Sequence, residues 1–440
     1  MSGQCLSSRF NPMSLPIAEL SRARQRSDAL FARIPQHLLY ERPIAERHRL
    51  AFYMGHLEAF DANLLLRAAK AQSVAAMDRL FAFGIDPIDG RLPADTVEDW
   101  PTITDIYDYT AQTRERLDRE LASAAKRKID DVALTVLLHA MIEHRLMHGE
   151  TLAYMLNRLP VAKPPRPLPV REHESSDDDD MVPIPAGRTT LGSNLAEEPF
   201  VWDNECPVQS VDVDDFAIDR YMVTNAQYRR FIDAGGYAEP RWWTAEGWQW
   251  RSDNDVQYPA SWRWHDGVWQ QLSLFDAVPF QGDWPVYISQ AEASAYARWT
   301  GKQLPTEAQW QRAAYGDPNG DEHRYPWGAE EPTAVHGNFD FRRWDPMPVD
   351  AYPAGRSAFG VDGLLGNGWE WTRTPFAPFP GFHSYSFYPG YSADFFDGRH
   401  FVLKGGSAHT AARLLRRSFR NWFQPHYPYP FAGFRCVSEG

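Results

Sequence analysis

The sequence predicts two domains of different fold classes, an all-α four-helix bundle followed by an α+β domain with much irregular structure. Apolar residues recur at helical spacing through the first 160 residues. Beyond residue 180 the apolar segments are short and interrupted by Gly and Pro, as in short strands joined by ordered loops. The chain has 17 Trp, 19 Tyr and 25 Phe, and nearly all the Trp lie beyond residue 200. A chain of 440 residues is long enough for each domain to bury its own core.

The first domain, which we place at residues 14–160, contains four segments with the apolar spacing of amphipathic helices. These segments are residues 14–34, 45–70, 102–124 and 130–159. Ser14 is a candidate N-cap with Pro16 early in the helix, and Thr102 or Thr104 is the candidate cap of the third helix. The segment 80–101 is interrupted by Gly84, Pro87, Gly90 and Pro93 and is predicted to be a long loop.

Residues 161–180 are predicted to be an extended interdomain linker. Their prolines forbid helix, and the acidic run Asp177–Asp180 repels itself, which is typical of a solvated spacer. The second domain, placed at residues 181–438, shows two helical segments, 224–236 and 289–301. The remainder is predicted to form short strands and loops.

Composition excludes several classes of protein. The formal net charge is −13 with no basic stripe, which argues against nucleic acid as the main partner. No uncharged apolar run approaches the length of a membrane-spanning helix. The 3 Cys cannot form a disulfide framework, and the first 20 residues lack the apolar core of a signal peptide. We therefore expect a soluble cytoplasmic protein.

The stretch "MIEHRLMHGETLAYML" places His144 and His148 four residues apart in a predicted helix. Four residues is just over one helical turn, so both imidazoles project from the same face. This spacing suits a metal site, but it also occurs in helices that bind nothing. The pair alone leaves both interpretations open.

The second domain resembles a known family. Seven phrases carry the resemblance and occur in this order: "MVPIPAGRTTLGS", "FAIDRYMVTNAQYRRFIDAGG", "WPVYISQAEASAYARWTGKQLPTEAQWQRAA", "YPWG", "GLLGNGWEWT", "LKGGSA" and "FAGFRC". Together they resemble the formylglycine-generating-enzyme (sulfatase-modifying factor) domain, which implies a C-type-lectin-like fold. Members with formylglycine-generating activity hold copper through a cysteine pair. Cys206 and Cys436 are far apart in sequence and not in that motif, so we do not expect that activity.

The first domain resembles a more specific group. "FYMGHLEAFDANLL" and "IEHRLMHGETLAYML" are similar to the DinB-like domain of ergothioneine-biosynthesis sulfoxide synthases and of their relatives, the selenoneine synthases. The resemblance implies non-haem Fe(II) bound by His56, His144 and His148. Three imidazoles leave about three positions open on an octahedral Fe(II), although the same residues suit zinc.

Ligating histidines usually donate their second ring N–H to a neighbouring acceptor. The nearest candidates in the sequence are four acidic residues, among which the sequence gives no basis for a choice. They are Glu58, Asp61, Glu143 and Glu150. His139 lies about 140° around the helix from His144, and we leave it out of the ligand set.

The resemblance also implies hercynine, the betaine of Nα-trimethylated histidine, as a substrate. The family holds hercynine with an "RNW" segment, which corresponds to Arg420, Asn421 and Trp422 in "SFRNWFQPHYPYPFAGFRC". An amide can hydrogen-bond the carboxylate or imidazole, and an aromatic face attracts a quaternary ammonium. Trp422 is alternatively a core residue.

The chain departs from the best-known members at the positions that bind γ-glutamylcysteine. Phe423 stands where they have an acidic residue, and Met147 stands where they have a glutamine. The segment "LFAFGIDPIDGRLP" replaces their "LFNSYY" region. These changes predict a less charged chalcogen donor that binds at Met147 and Phe423.

A tyrosine near the iron supplies a proton in the sulfoxide synthases, but it cannot be mapped onto one residue of this chain. The candidates are Tyr385, Tyr388, Tyr391, Tyr427 and Tyr429.

The "FAFGID" loop and the "SFRNWFQPHYPY" tail look more like the selenoneine synthases, so the resemblance favours an Fe(II)- and O2-dependent selenoneine synthase that uses a selenosugar donor. The first alternative is a sulfoxide synthase that uses cysteine or γ-glutamylcysteine. A metal-free lectin-like binding module and a zinc-dependent thiol transferase are further alternatives.

Overall fold

A computed structural model describes residues 14–68, 76–82, 94–126, 132–159, 161, 163–169, 180–193 and 198–439. The chain divides into two compact units, Met1–Leu159 and Pro160–Gly440. The first unit is helical and the second is rich in sheet, so the predicted order of fold classes is confirmed. Within the described residues, no helix has both the length and the apolar character needed to cross a lipid bilayer.

The described residues of the first unit form four long α-helices and one short one. They are α1 (Ser14–Phe31), α2 (Leu50–Ala68), α3 (Ala76–Leu80), α4 (Ile103–Lys126) and α5 (Val132–Asn157). Helices α1 and α2 pack against α5, and α4 packs against α2. Both α2 and α5 are apolar on most sides, and Phe52, Leu57, Leu138 and Met141 are almost fully buried. The apolar surface that α2 and α5 bury against their neighbours therefore stabilises this unit.

The helix boundaries differ from the prediction at several points. Helix α1 begins at Ser14 itself, and α2 begins at Leu50 rather than at residue 45. The chain before α2 is held in turns because the Arg49 guanidinium donates to the Tyr40 carbonyl and to Asp95. The short helix α3 was not predicted. Residues 83–93 of the loop predicted at 80–101, which include Gly84, Pro87, Gly90 and Pro93, lie outside the described residues.

The cap of α4 is Thr102 rather than Thr104. The Asp105 N–H donates to Thr102 Oγ1 at 3.2 Å, and the Thr102 N–H donates to Asp105 Oδ2 at 3.3 Å. This reciprocal pair satisfies backbone donors that have no partner inside the first turn of the helix.

The second unit contains twelve described strands in small sheets and four described helices. The strands are β1 (Met181–Ile184), β2 (Gly187–Leu191), β3 (Gln209–Val213), β4 (Phe216–Asp219), β5 (Trp262–His265), β6 (Val268–Leu272), β7 (Ala277–Pro279), β8 (Gly368–Pro375), β9 (Phe401–Gly406), β10 (Asn421–Phe423), β11 (Ala432–Gly433) and β12 (Val437–Glu439). The helices are α6 (Asn225–Asp233), α7 (Ala245–Asp253), α8 (Gln290–Trp299) and α9 (Glu307–Tyr315). The sheet orders are β1-β4-β12, β10-β9-β8-β11, β2-β3 and β5-β6-β7.

Helices α6 and α8 match the two predicted helical segments, whereas α7 and α9 were missed. Helix α7 has no apolar face that repeats at helical spacing, so its sequence gives no periodic signal. Helix α9 does carry apolar residues at helical spacing, and Thr306 and Gln309 form a T-x-x-Q capping box, so both signals for α9 were overlooked.

The predicted linker is not fully extended into solvent. Arg166 N–H donates to the Ala277 carbonyl, Ala277 N–H donates to the Pro164 carbonyl, and Lys163 Nζ donates to the Ser273 and Leu274 carbonyls. The extended backbone that proline favours therefore docks on the edge strand β7. Asp180, predicted to be solvated, pairs with Arg220 at 2.8 Å, and Asp177–Asp179 lie outside the described residues.

Candidate metal centre

Helices α2 and α5 bring together the three histidines that the sequence singled out. His56 lies in α2, and His144 and His148 lie one turn apart in α5. All three are buried, with at most 4% of each residue exposed. One ring nitrogen from each residue lies within 4.8 Å of the others, and His144 Nε2 is 3.1 Å from His148 Nε2. Among the described residues these three form a compact set of nitrogen donors.

The donor geometry fits a divalent transition metal. Two metal–nitrogen bonds of about 2.1 Å that meet at a right angle separate their nitrogens by about 3.0 Å, close to the His144–His148 spacing. His56 Nε2 is buried without a hydrogen-bond partner. A buried ring nitrogen with no partner loses its interaction with water and gains nothing in return, unless an ion takes that place. The residues present therefore suit a metal ligated through imidazole.

Burial keeps these imidazoles neutral. It lowers the pKa of His56 to about 4, despite the opposing hydrogen bond to the Phe81 carbonyl. Burial, followed by the neighbouring imidazoles, lowers the pKa of His144 well below 6.5, and burial also lowers the pKa of His148. Only a neutral imidazole has a lone pair to offer a metal. The site is therefore ready to bind a cation at neutral pH.

The orientation of the His56 ring is fixed by a backbone group. His56 Nδ1 lies 2.8 Å from the Phe81 carbonyl oxygen, so Nδ1 carries the proton and donates it. That leaves Nε2 as the nitrogen with the free lone pair. The Phe52 ring also stacks on His56, with centroids 4.7 Å apart. The sequence-based prediction that an acidic residue fills this role is wrong for His56, because Glu58 and Asp61 pair with arginine.

His144 is oriented by packing. The Phe60 ring lies 3.5 Å from the His144 ring, centroid to centroid, at an angle of 9°. Its Nδ1 has no hydrogen-bond partner in the structure. The last two acidic candidates, Glu143 and Glu150, are buried in α5. Apolar contact therefore fixes the plane of the His144 ring.

Gly55 makes the Phe81 contact possible. A Cβ atom at Gly55 would lie 2.4 Å from the Phe81 ring, so no other residue lets the ring approach α2 this closely. We expect Gly55→Ala to displace Phe81, remove the acceptor for His56 and weaken metal binding by about 10- to 100-fold. Cobalt(II) titration of the metal-free protein measures this. Asn63→Ala, at a partly exposed position of the same helix, should keep its affinity, whereas unchanged binding by Gly55→Ala would contradict the assignment.

The lowered histidine pKa values predict an acid-sensitive metal-free protein. Below about pH 6.5 the unfolded chain binds protons that the folded chain does not, so protonation favours unfolding. At about 1.4 kcal/mol for each pH unit between the two pKa values, His56 alone costs about 3 kcal/mol by pH 4. We expect the free energy of unfolding in urea to fall steadily from pH 6.5 to pH 4. The His56→Gln variant should show a shallower fall, and an identical slope would argue against the buried neutral imidazole.

The predicted hercynine segment lies in β10 of the second unit. Trp422 is half-buried and stacks on Phe376 with centroids 4.3 Å apart at 6°. Asn421 Oδ1 accepts the Trp422 N–H at 2.9 Å. The Arg420 guanidinium is buried and binds both carboxylate oxygens of Glu307, at 2.9 and 3.1 Å. Those bonds hold the start of β10 against α9.

The remaining predicted site residues lie in separate surroundings. Tyr391 lies beside Trp422, with ring centroids 5.4 Å apart, whereas the Tyr385 hydroxyl donates to the Val201 carbonyl. Phe423 is half-buried and stacks on Tyr427. The ring of Tyr388 lies 5.5 Å from that of Tyr391, centroid to centroid. The ring of Tyr429 lies 4.8 Å from that of Tyr427. Met147 is half-buried and precedes His148 in α5.

Sequence reasoning missed Phe81, Gly55 and Arg145 around the centre. Phe81 acts through its carbonyl, which every residue carries, so the sequence held no signal for it. Arg145 did carry a signal, because it is a basic residue directly after His144 in a mostly apolar helix.

Comparison with known proteins accounts for both units. The DinB superfamily matches residues 19–152, and the sulfatase-modifying factor enzyme 1-like domain matches residues 167–440, more than half of the chain. Hercynine oxygenase of Mycolicibacterium smegmatis is 41% identical over 308 residues, which cover 68% of this chain and 70% of that relative. The chain belongs to the hercynine oxygenase family. The resemblance predicted for both domains is therefore confirmed.

Two further relatives agree with this family. Hercynine oxygenase of Mycobacterium tuberculosis is 44% identical over 56% of this chain and 58% of its own length. Ergothioneine biosynthesis protein 1 of Neurospora crassa is 27% identical over 92% of this chain and 55% of its own length. The chain thus spans little more than half of these two relatives. As a member of the hercynine oxygenase family it is an enzyme.

Proposed function

We propose that the protein is an Fe(II)- and O2-dependent enzyme that joins selenium or sulfur to the imidazole C2 of hercynine. The observation that carries the proposal is the convergence of three buried, neutral imidazoles in a member of the hercynine oxygenase family. This arrangement also weighs against a metal-free binding module, because without a metal His56 Nε2 stays buried with no interaction partner.

The chemistry of an oxygenase favours iron over zinc at this centre. When bound, Fe(II) supplies electrons and open coordination positions for O2 and substrate, whereas zinc has no redox chemistry. His56, His144 and His148 would hold the metal. The Phe81 carbonyl keeps the proton on Nδ1 of His56, and the stacked Phe52 and Phe60 rings exclude water from two of the ligands.

The proposed reaction balances with one O2. Hercynine loses the hydrogen on C2, the donor loses its Se–H or S–H hydrogen, and the new C–Se or C–S bond forms. O2 accepts four electrons in total. One oxygen atom ends on the selenium or sulfur as an oxide, and the other leaves as water together with the two hydrogens.

The uncharged side chains at Met147 and Phe423 favour a selenosugar donor. A selenosugar presents hydroxyl groups and no carboxylate or amine, so it needs no charged partner at these two positions. Cysteine and γ-glutamylcysteine, the alternatives, carry charges that these side chains cannot pair. We retain Asn421 and Trp422 as proposed hercynine contacts, and Tyr391 as the proposed proton donor because its ring contacts Trp422.

The test supplies the Fe(II)-loaded protein with hercynine, O2 and one donor at a time. The donors are the selenosugar, cysteine and γ-glutamylcysteine, and the products are identified by mass spectrometry. We expect a hercynine–selenium product with the selenosugar. Turnover with a thiol only would establish the sulfoxide synthase alternative, and consumption of none of the three would overturn the proposed function.

A further inference from the structure

Arg145 connects the backbone and side chains next to two of the metal-binding residues. It directly follows His144 in α5 and is 1% exposed. Its Nη2 donates to the Leu57 carbonyl at 3.0 Å, and Leu57 directly follows His56 in α2. One guanidinium thus bridges positions one residue beyond a ligand on each helix.

Two carboxylates also accept hydrogen bonds from Arg145. Its Nη1 donates to Glu58 Oε1 at 2.9 Å, and its Nη2 donates to Asp61 Oδ2 at 2.6 Å. Glu58 and Asp61 both lie in α2 and are at most 1% exposed. The planar guanidinium presents its donors in a fixed fork, so these three acceptors are satisfied together in one arrangement of α2 against α5.

The other two long helices join the same network. Arg114 of α4 donates to Glu58 Oε1 at 2.9 Å and to Asp28 of α1 at 2.6 and 2.8 Å. Arg145 Nη1 also lies 3.4 Å from Ser27 Oγ in α1. The network of charged residues around Arg145 therefore includes residues of all four long helices, α1, α2, α4 and α5.

Stability alone does not explain this cluster. The cost of removing buried charges from water offsets much of their attraction, and apolar residues of similar volume often stabilise a core as well. Apolar contacts, however, tolerate small shifts of one helix along another. A charged fork with several acceptors does not tolerate them, and a single polar contact is known to fix helix register.

We propose that Arg145 is a positioning residue that sets the register of α2 against α5 and thereby the distance between His56 and the His144–His148 pair. A slip by one residue moves a side chain about 1.5 Å along the helix and turns it by about 100°. Metal–ligand distances tolerate only about 0.2 Å. The inference rests on the metal centre of the proposed function, and it is independent of the chalcogen donor.

The experiment compares cobalt(II) binding by four metal-free full-length proteins, monitored by visible absorption. Arg145→Met keeps the volume but leaves Asp61 unpaired, and Arg145→Met/Asp61→Leu removes both charges while the Glu58–Arg114 pair remains. Wild type and Arg119→Met are the references, since Arg119 is an exposed arginine of α4 that pairs with Glu115 of its own helix.

We expect the double variant to keep the wild-type helical circular dichroism and a cooperative unfolding transition. Its cobalt(II) affinity should nevertheless fall by about 10- to 100-fold, with a changed visible spectrum, whereas Arg119→Met should match wild type. Wild-type affinity and spectrum in the double variant would overturn the inference alone. Failure of wild type itself to bind the metal would overturn both the inference and the proposed metal centre.

Discussion

We expect His148→Ala to lose stoichiometric metal and, with it, all measurable turnover. Structural zinc sites with four ligands bind with about 10–16 kcal/mol, or about 2.5–4 kcal/mol for each ligand. Loss of one of three ligands therefore lowers affinity by roughly 50- to 1,000-fold. Glu58 and Asp61 of α2 already pair with Arg145, so neither is available to replace the lost imidazole. Metal analysis of the purified variant, together with product formation from hercynine, measures both losses.

His139→Ala is the matched control for this variant. His139 is also buried in α5, but it does not belong to the group of converging nitrogen donors. It should therefore retain its metal. The same loss in both variants would indicate a general loss of helix packing, and full metal content in His148→Ala would show that the centre is assigned to the wrong residues. His56→Ala should behave like His148→Ala, although its ligand comes from α2.

The metal centre was only partly predictable from the sequence. The spacing of His144 and His148 follows from helix geometry, so a shared face could be inferred from the sequence alone. The contribution of His56 came from a family resemblance, because a contact between two helices has no local sequence signature. The Phe81 carbonyl could not have been predicted, since a backbone acceptor is independent of residue type. The role of Gly55 is visible only in the structure, where the Phe81 ring packs against α2 at this residue.

The fold shows the same limit. Long helices such as α5 were predicted because a long proline-free apolar segment favours helix, whereas the nine residues of α7 show no apolar repeat. The proline-rich segment around Arg166 was predicted to be an extended interdomain linker, yet it pairs with β7 and forms ion pairs with Asp276 and Asp345. Proline content predicts an extended backbone, but it does not tell whether an edge strand lies nearby.

The second unit contains a buried ion pair whose removal should have the largest effect on stability. Arg435 donates from Nε and Nη2 to the two carboxylate oxygens of Glu370, at 2.6 and 2.9 Å, and neither residue is exposed. Glu370 lies in β8, and Trp310 Nε1 also donates to it, at 3.0 Å. Arg435 further donates to the carbonyls of Asp219, Arg220 and Asp362. One side chain therefore connects β8 to the end of β4 and to a loop.

We expect Arg435→Met to destabilise the second unit by about 3–5 kcal/mol. The variant leaves the buried Glu370 carboxylate without its charged partner and three backbone carbonyls without their donor. For a unit of this size, each kcal/mol lowers the melting temperature by about 2–4 °C, so calorimetry should show a fall of about 10 °C. Arg188→Met, which breaks an exposed pair with Asp212, should not shift the transition measurably. Cobalt(II) binding in the first unit should survive Arg435→Met at temperatures below the transition. If both variants melted alike, the buried network would contribute no more than a surface pair, and the rigidity of β8 would have to come from its apolar neighbours.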